Sequence, residues 1–104
     1  MTLRNPNRKS THPGAILRED VLPALSMTQT EFAQRLAVSR LTVSELLHEK
    51  RDLSPDLAAC IGKLTRTSPE SWLRMQAAVD LWAIDRHPER LAAIRSLEMR
   101  LADG

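Results

Sequence analysis

Apolar residues between positions 28 and 51 fall into two short groups that a brief connection separates. Within each group the apolar positions recur at spacings of three and four, so they share one face of a helix and require burial. This pattern predicts two short helices that pack on each other. The first group is Phe32, Ala33 and Leu36, and the second is Val43, Leu46 and Leu47.

Capping residues mark where these two helices begin. Thr28 is a suitable N-cap and Glu31 follows three residues later, so the pair forms a capping box that predicts a helix from Gln29. Ser39 is a second N-cap and predicts a helix from Arg40. Two helices joined by a turn of three or four residues form a helix-turn-helix, whose second helix enters the major groove of DNA. The segment therefore indicates sequence-specific DNA binding.

Two alanines in this segment differ in how well they suit the motif. The small side chain of Ala33 allows the two helices to cross closely. Ala37 falls in the turn, where a positive φ is usual and glycine adopts it at least cost. We therefore expect either a strain of about 1 kcal/mol at Ala37 or a slightly different turn. Any amphipathic helical hairpin gives similar spacings, but the caps, the small residue and the short turn together favour the helix-turn-helix.

Proline-containing caps divide the rest of the chain into further helices. Pro13 suits the first turn of a helix that Pro23 should kink or end. Three more helices open at Ser54-Pro55-Asp56, Ser68-Pro69-Glu70 and His87-Pro88-Glu89. The last one carries an apolar stripe that packs either on its own domain or on a partner, formed by Leu91, Ile94, Leu97 and Leu101. No segment alternates with the period of a strand, so the fold class predicted is all-α, with five to six helices.

Composition fits one helical domain with flanking segments. The chain has 104 residues, three glycines and no tyrosine, and its abundant alanine and leucine favour helix. Residues 1–11 are expected to form a flexible basic arm, residues 12–83 the helix-turn-helix domain, and residues 84–104 a C-terminal amphipathic helix. No apolar run suits a signal peptide or a membrane span. The single Cys60 is expected to be a packed structural thiol in a reducing cytoplasm.

The distribution of charge is more informative than its total. The 15 basic and 13 acidic residues leave a formal charge of +2, which by itself does not indicate nucleic acid. Residues 1–20 carry four basic and two acidic side chains, residues 28–51 carry four and three, and residues 52–104 carry seven and eight. The basic excess therefore accompanies the motif, and we expect moderate phosphate affinity per subunit.

Residues capable of catalysis or metal binding are scattered along the chain. His12, His48 and His87 are far apart in sequence, and none has a second ligand four residues away on the same helix. Cys60 has no activating neighbour for a nucleophilic role, and no glycine-rich loop is present to hold a nucleotide. We expect no enzymatic activity, no catalytic residue, no metal and no cofactor.

Three separated motifs frame the predicted helix-turn-helix: His12-Pro13-Gly14 with Ile16-Leu17-Arg18-Glu19, Ser68-Pro69-Glu70-Ser71-Trp72-Leu73, and Asp80-Leu81-Trp82. Their content and order resemble the HigA (VapI-like) antitoxins, which belong to the Xre and phage-repressor helix-turn-helix group. The resemblance implies a five-helix, lambda-repressor-like core that acts as a homodimer and represses its own operon by binding a palindrome in double-stranded DNA. It also implies neutralisation of a HigB-type toxin, a small RelE-like ribonuclease that cuts messenger RNA on the ribosome.

The resemblance also implies a DNA-binding surface, position by position. Gln29 matches a phosphate contact at a helix N-terminus, and Arg40 can donate two hydrogen bonds to guanine. Glu45 departs from the family pattern, because many members carry arginine there. Its carboxylate repels phosphates unless it accepts from a cytosine amino group or pairs with Arg40 or His48. The expected DNA-binding residues are Gln29, Ser39, Arg40, Thr42, Ser44, Glu45, Lys50 and Arg51.

The C-terminal helices are the implied dimer interface, because family dimers commonly use them. A core role for the two tryptophans is an alternative to a place in that interface. Two other functions also stay open: a stand-alone Xre-type regulator without a toxin, and a toxin-binding module whose helix-turn-helix has lost DNA binding. The interface residues implied are Trp72, Met75, Val79, Trp82, Leu91 and Ile94.

Overall fold

A computed structural model describes residues 9–97, and this part of the chain consists of helices and connecting turns with no strand. The all-α fold that the sequence predicts is confirmed. In chain order the elements are α1 (Pro13–Ile16), a π-helical segment (Leu17–Val21), α2 (Leu22–Leu25), α3 (Gln29–Leu36), α4 (Arg40–Leu47), α5 (Pro55–Thr65), α6 (Pro69–Arg86) and α7 (Glu89–Ala92).

The hydrophobic core is built chiefly from α3, α4 and α5, and the π segment, α2 and α6 add side chains to it. Both apolar groups predicted between residues 28 and 51 are buried in this core. Phe32, Leu46 and Ile61 are fully enclosed. Because burying a side chain of this size contributes about 1.5–3 kcal/mol, the core fixes α3 and α4 against each other and against α5.

The His12-Pro13-Gly14 motif starts the domain through a close approach of two helices. His12 is buried, and its Nδ1 accepts a hydrogen bond from the Gly14 amide at 2.9 Å, so it caps α1. A Cβ on Gly14 would overlap the carbonyl oxygen of Leu46 in α4. The missing side chain at Gly14 therefore lets α1 rest directly on the backbone of α4.

The helix beginning at Pro13 does not end at Pro23. It continues through the π segment and α2 to Leu25, and Ser26 closes it in the left-handed conformation with φ 51°. The Leu22 amide donates to the Leu17 carbonyl five residues earlier, as in a π turn. This wider turn changes the hydrogen-bond register just before Pro23, which has no amide proton to place. Of the two outcomes expected at Pro23, a kink or an end, the helix does not end there, and the π segment just before it accommodates the proline.

Helices α5 and α6 form the other half of the domain and pack closely on each other. The Ser54 and Ser68 hydroxyls cap them as expected, accepting from the amides of Leu57 and Ser71. Trp72 on α6 is buried, and its indole Nε1 donates to the Thr67 hydroxyl at 2.7 Å. The connection between the two helices is therefore held by both packing and a side-chain hydrogen bond.

The C-terminal region differs from the helix expected for residues 84–104. Helix α6 runs on to Arg86, and after the break at His87 only the single turn of α7 is helical among the described residues. The apolar stripe expected to stabilise a longer helix finds no cover: Leu91, Ile94 and Leu97 are 50%, 60% and 75% exposed. A short helix needs tertiary packing to persist, and this one has little. Leu101 lies outside the described residues.

Two other expectations concern segments at the edges of the fold. The N-terminal arm over residues 1–11 falls mostly outside the described residues, and residues 9–11 precede α1 without regular structure. Cys60 is partly buried and packs against the core. None of the helices within residues 9–97 has the length and apolarity that a membrane span requires.

Candidate nucleic-acid interface

Helix α3 begins at the cap that the sequence predicts, with one change in its hydrogen bonds. The Thr28 hydroxyl oxygen accepts from the Glu31 amide at 3.1 Å. The Glu31 carboxylate accepts from the Thr28 hydroxyl at 3.3 Å, whereas in a full capping box it would reach the Thr28 amide. The cap therefore fixes the start of α3 and places the half-exposed Gln29 in its first turn.

The turn between α3 and α4 has the left-handed residue that is usual in this motif, and that residue is Ala37. This residue is left-handed, with φ 58° and ψ 41°, and the Val38 amide donates to the Ala33 carbonyl at 3.1 Å. Of the two possibilities for Ala37, the structure has the strained residue and not a different turn. A left-handed alanine costs about 1–2 kcal/mol, and the burial of Ala33, Leu36 and Val43 on both sides of the turn offsets that cost.

The N-terminus of α4 presents a polar cap and one free cation. The Ser39 hydroxyl accepts from the Thr42 amide at 3.0 Å and lies 2.8 Å from the Thr42 hydroxyl. Arg40 is exposed, and its side chain has no partner within residues 9–97. The guanidinium therefore projects from the first turn of α4 with all its donors available, which is the arrangement that a bidentate contact with guanine requires.

Leu41 belongs to the same exposed face of α4, although its sequence pattern was not assigned a role. Its side chain is 66% exposed, which is unusual for leucine in a small domain. Positions 41 and 45 lie four residues apart on the side of α4 opposite the buried Val43, Leu46 and Leu47. The signal was present in the sequence, because Leu41 does not share the spacing of the buried group.

Glu45 is paired with Arg51, and not with Arg40 or His48. The Arg51 Nε and Nη2 atoms donate to the same Glu45 oxygen, Oε1, at 3.1 and 2.7 Å. The His48 ring Nδ1 instead lies 2.7 Å from the Ser44 carbonyl oxygen of its own helix. Because both partners of the ion pair are partly exposed, it adds at most about 1 kcal/mol to stability, but it neutralises the carboxylate on the exposed face of α4.

A buried glutamine holds the loop that carries Lys50 and Arg51. Gln76 on α6 is 5% exposed, and its Oε1 accepts from the Leu53 amide at 2.7 Å. Its Nε2 donates to Asp52 at 3.3 Å and to Asp80 at 3.0 Å. No local pattern marks Gln76 for this role, since only the folded loop brings Asp52 and Leu53 within its reach.

Arg18 fixes the other end of α4. Its Nη1 donates to the Leu47 carbonyl at 2.6 Å and to the Glu49 carboxylate at 3.2 Å. A carbonyl in the last turn of a helix has no intrahelical partner, and a cation there is favourable. The π segment therefore supplies the residue that closes the C-terminus of α4, a tertiary contact that no local pattern indicates.

The residues expected at a dimer interface lie on α6, on α7 and just after α7, in different environments. Trp72 is 4% exposed and belongs to the core, Met75 is half-buried against that core, and Val79 is half-buried. Trp82 is half-buried, with the Arg86 guanidinium 5.4 Å from its ring centre and an enclosed indole Nε1 that has no partner among the described residues. Leu91 and Ile94 are open to solvent, as are Leu81 and Ile84, which the sequence reasoning did not include.

These features define a helix-turn-helix protein whose second helix is exposed along a polar face. No protein-family model matches the chain. The chain is 36% identical over 103 residues to the uncharacterized HTH-type transcriptional regulator YbaQ of Escherichia coli, covering 96% of this chain and 91% of that protein. It is 31% identical over 103 residues to antitoxin HigA-1 of Vibrio cholerae, covering 95% and 94%. The chain belongs to the HigA family of helix-turn-helix antitoxins, whose members are not enzymes.

Solved structures agree with this membership. Antitoxin GraA in complex with its operator matches with a TM-score of 0.82 and 31% identity, covering 93% of this chain and 99% of that one. The Pseudomonas aeruginosa antitoxin HigA with the higBA promoter matches with a TM-score of 0.79 and 29% identity, covering 86% and 100%. The HigA-type fold anticipated from the three motifs is thus confirmed over most of the chain.

Proposed function

We propose that this chain is an antitoxin that neutralises a HigB-like, RelE-type ribonuclease and represses its own operon by binding a palindromic operator in the cytoplasm. The observation that carries the DNA-binding half is the exposed face of α4, which begins with the unpaired Arg40 and continues to the Glu45–Arg51 ion pair. Antitoxins of this fold have been solved with promoter or operator DNA, which supports DNA binding by this chain.

In the proposed complex α4 lies in the major groove and Arg40 donates two hydrogen bonds to a guanine. Leu41, one residue further on, provides apolar contact for a thymine methyl group. Ser39 and Thr42 flank this face, and the half-buried Ser44 lies at its side. Gln29 at the N-terminus of α3 and Lys50 after α4 contact the phosphates and set the position of the domain on the duplex.

The Glu45–Arg51 ion pair favours a helix-turn-helix that binds DNA over the alternative in which the motif has lost DNA binding. An unpaired carboxylate on this face would meet the phosphates with a full negative charge. Pairing through Oε1 alone cancels that charge and leaves Oε2 able to accept from a cytosine amino group. Arg51 in turn keeps a further guanidinium nitrogen that can donate to a phosphate of the DNA backbone. We therefore assign Glu45 to base readout and Arg51 to both its neutralisation and a phosphate contact.

The proposed homodimer uses half-buried and exposed apolar side chains of α6, of α7 and of the residues just after α7. Trp82, Leu91 and Ile94 are its central members, with Met75 and Val79 at the edge and Trp72 filling the core beneath. Uncovered apolar side chains in this number favour a protein partner, and a symmetric dimer would present two copies of α4 to two half-sites of a palindrome.

One experiment separates the candidate functions. The chain is expressed with the protein of its neighbouring reading frame, copurification is measured, and the purified chain is titrated against its upstream DNA and a shuffled duplex over a range of salt concentrations. We expect a stable complex with a small ribonuclease, and binding that prefers the upstream DNA and weakens with salt. DNA binding without a toxin would identify a stand-alone regulator, which the similarity to YbaQ favours. Toxin binding without specific DNA binding would identify a module that has lost its operator.

A further inference from the structure

A cavity between α3 and α5 lies outside the surface of α4. Its volume is about 720 Å³. Leu36 and Leu64 contribute to an apolar floor, together with Ala59 and Cys60. Three cationic residues also line the cavity, Arg35, Lys63 and Arg66. No acidic residue is among the lining residues. An open apolar surface of this size with cationic side chains around it suits the binding of a small organic anion.

The three cations have no partner of opposite charge in the described part of the chain. Within residues 9–97 none of their side chains forms an ion pair or a hydrogen bond. The C-termini of α3 and α5 lie beside the cavity, and each contributes a partial charge of about −0.5. Three full positive charges exceed these two partial charges by roughly two units. The cavity therefore has a net positive charge that no group in the described part of the chain compensates.

We propose that this cavity binds an amphipathic organic anion, a carboxylate or phosphate group attached to an apolar body. The apolar body would cover Leu36 and Leu64, and the anionic head would accept charge-assisted hydrogen bonds from Arg35 and Lys63. Such a ligand touches both α3 and α5, so its binding stabilises the fold by mass action. The site is separate from the proposed DNA contacts, because none of its lining residues is among the residues assigned to DNA.

Decanoate, below the concentration at which it forms micelles, is the probe for this site. The full chain labelled with ¹⁵N is titrated with decanoate, with inorganic phosphate and with the neutral octyl glucoside, and amide shifts are followed by NMR. We expect saturable shifts centred on residues 35–36 and 59–66 with decanoate, and at least about tenfold weaker binding of the other two probes, which lack either the apolar body or the charge.

Two double variants with equal loss of charge complete the test. Arg35→Gln with Lys63→Gln removes two rim cations, whereas Arg74→Gln with Arg90→Gln removes two exposed cations elsewhere. We expect the first to weaken decanoate binding about tenfold or more, because charge-assisted hydrogen bonds are lost, and the second to change it less than about twofold. Equal weakening by both variants, shifts confined to α6 and α7, or binding of phosphate as tight as that of decanoate would each overturn the proposal.

Discussion

The helix-turn-helix and the C-terminal region make opposite use of similar apolar patterns. In α3 and α4 the apolar spacings are buried against neighbours inside the same chain, and Leu46 is fully enclosed. In α6, α7 and the residues just after α7, comparable spacings leave Ile84, Leu91 and Ile94 exposed. A spacing of three and four residues thus predicts an apolar helix face, but it does not indicate whether that face packs within the same chain or against a partner.

The strongest test of this contrast is the same substitution in both regions. Leu46→Ala should lower the free energy of unfolding by about 2–5 kcal/mol, because it opens a cavity in the core. Leu91→Ala should lower it by only about 0.5 kcal/mol or less in dilute protein, because the side chain is exposed. Urea titrations followed by circular dichroism measure both. A large loss for Leu91→Ala at low concentration would mean that α7 is covered within the monomer.

Removal of the free cation on α4 tests the functional side of the contrast. Arg40→Ala should weaken binding to the specific operator by about 1–3 kcal/mol, because a bidentate base contact is lost. Arg74→Ala on α6 removes the same charge away from the proposed DNA-binding face and should weaken DNA binding little. Fluorescence anisotropy at one fixed salt concentration compares the two. Equal losses would assign the effect to overall charge and contradict the role given to Arg40.

Gln76 connects the two regions, and its replacement shows how much the loop after α4 depends on α6. Gln76→Leu leaves the buried Leu53 amide without an acceptor and should reduce the free energy of unfolding by about 1–3 kcal/mol. Gln34→Leu, at an exposed position of α3, is the matched control and should change it by at most about 0.5 kcal/mol. Chemical denaturation of both variants is the measurement, and similar stabilities would argue against the hydrogen bonds of Gln76 as the anchor of this loop.

An alanine-to-glycine substitution should have the smallest effect on stability, and the sign of that effect should differ between the two regions. Ala37→Gly should stabilise the protein by about 1 kcal/mol, because it removes a left-handed alanine from the turn. Ala77→Gly, at an exposed position inside α6, should destabilise it by about 1 kcal/mol, because glycine is a poor helix former. Thermal unfolding of the two variants gives both signs in one experiment. Destabilisation by Ala37→Gly would show that the turn in solution does not require the left-handed conformation.

Local signals account for most of what was predictable about the fold and the interface. Thr28, Ser39, Ser54 and Ser68 act as N-caps within a few residues of their partners, so no distant contact is needed to find them. The partner of Glu45 was beyond this kind of reasoning. Arg51 reaches back to Glu45 from the loop after α4, and Gln76 binds the next two residues of that loop, Asp52 and Leu53. The separation of 24 residues between Asp52 and Gln76 carries no periodic signal.

By itself, the sequence determined where α3 to α6 begin, their N-caps and the family, because each depends on neighbours within a few positions or on motifs with fixed spacing. Only the tertiary structure decided that α1 rests on α4 at Gly14, that Arg18 closes the C-terminus of α4, and that Glu45 is neutralised by Arg51. It also decided which apolar faces stay open. These outcomes depend on how separate helices meet in space, and burial and hydrogen-bond geometry exist only once they have met.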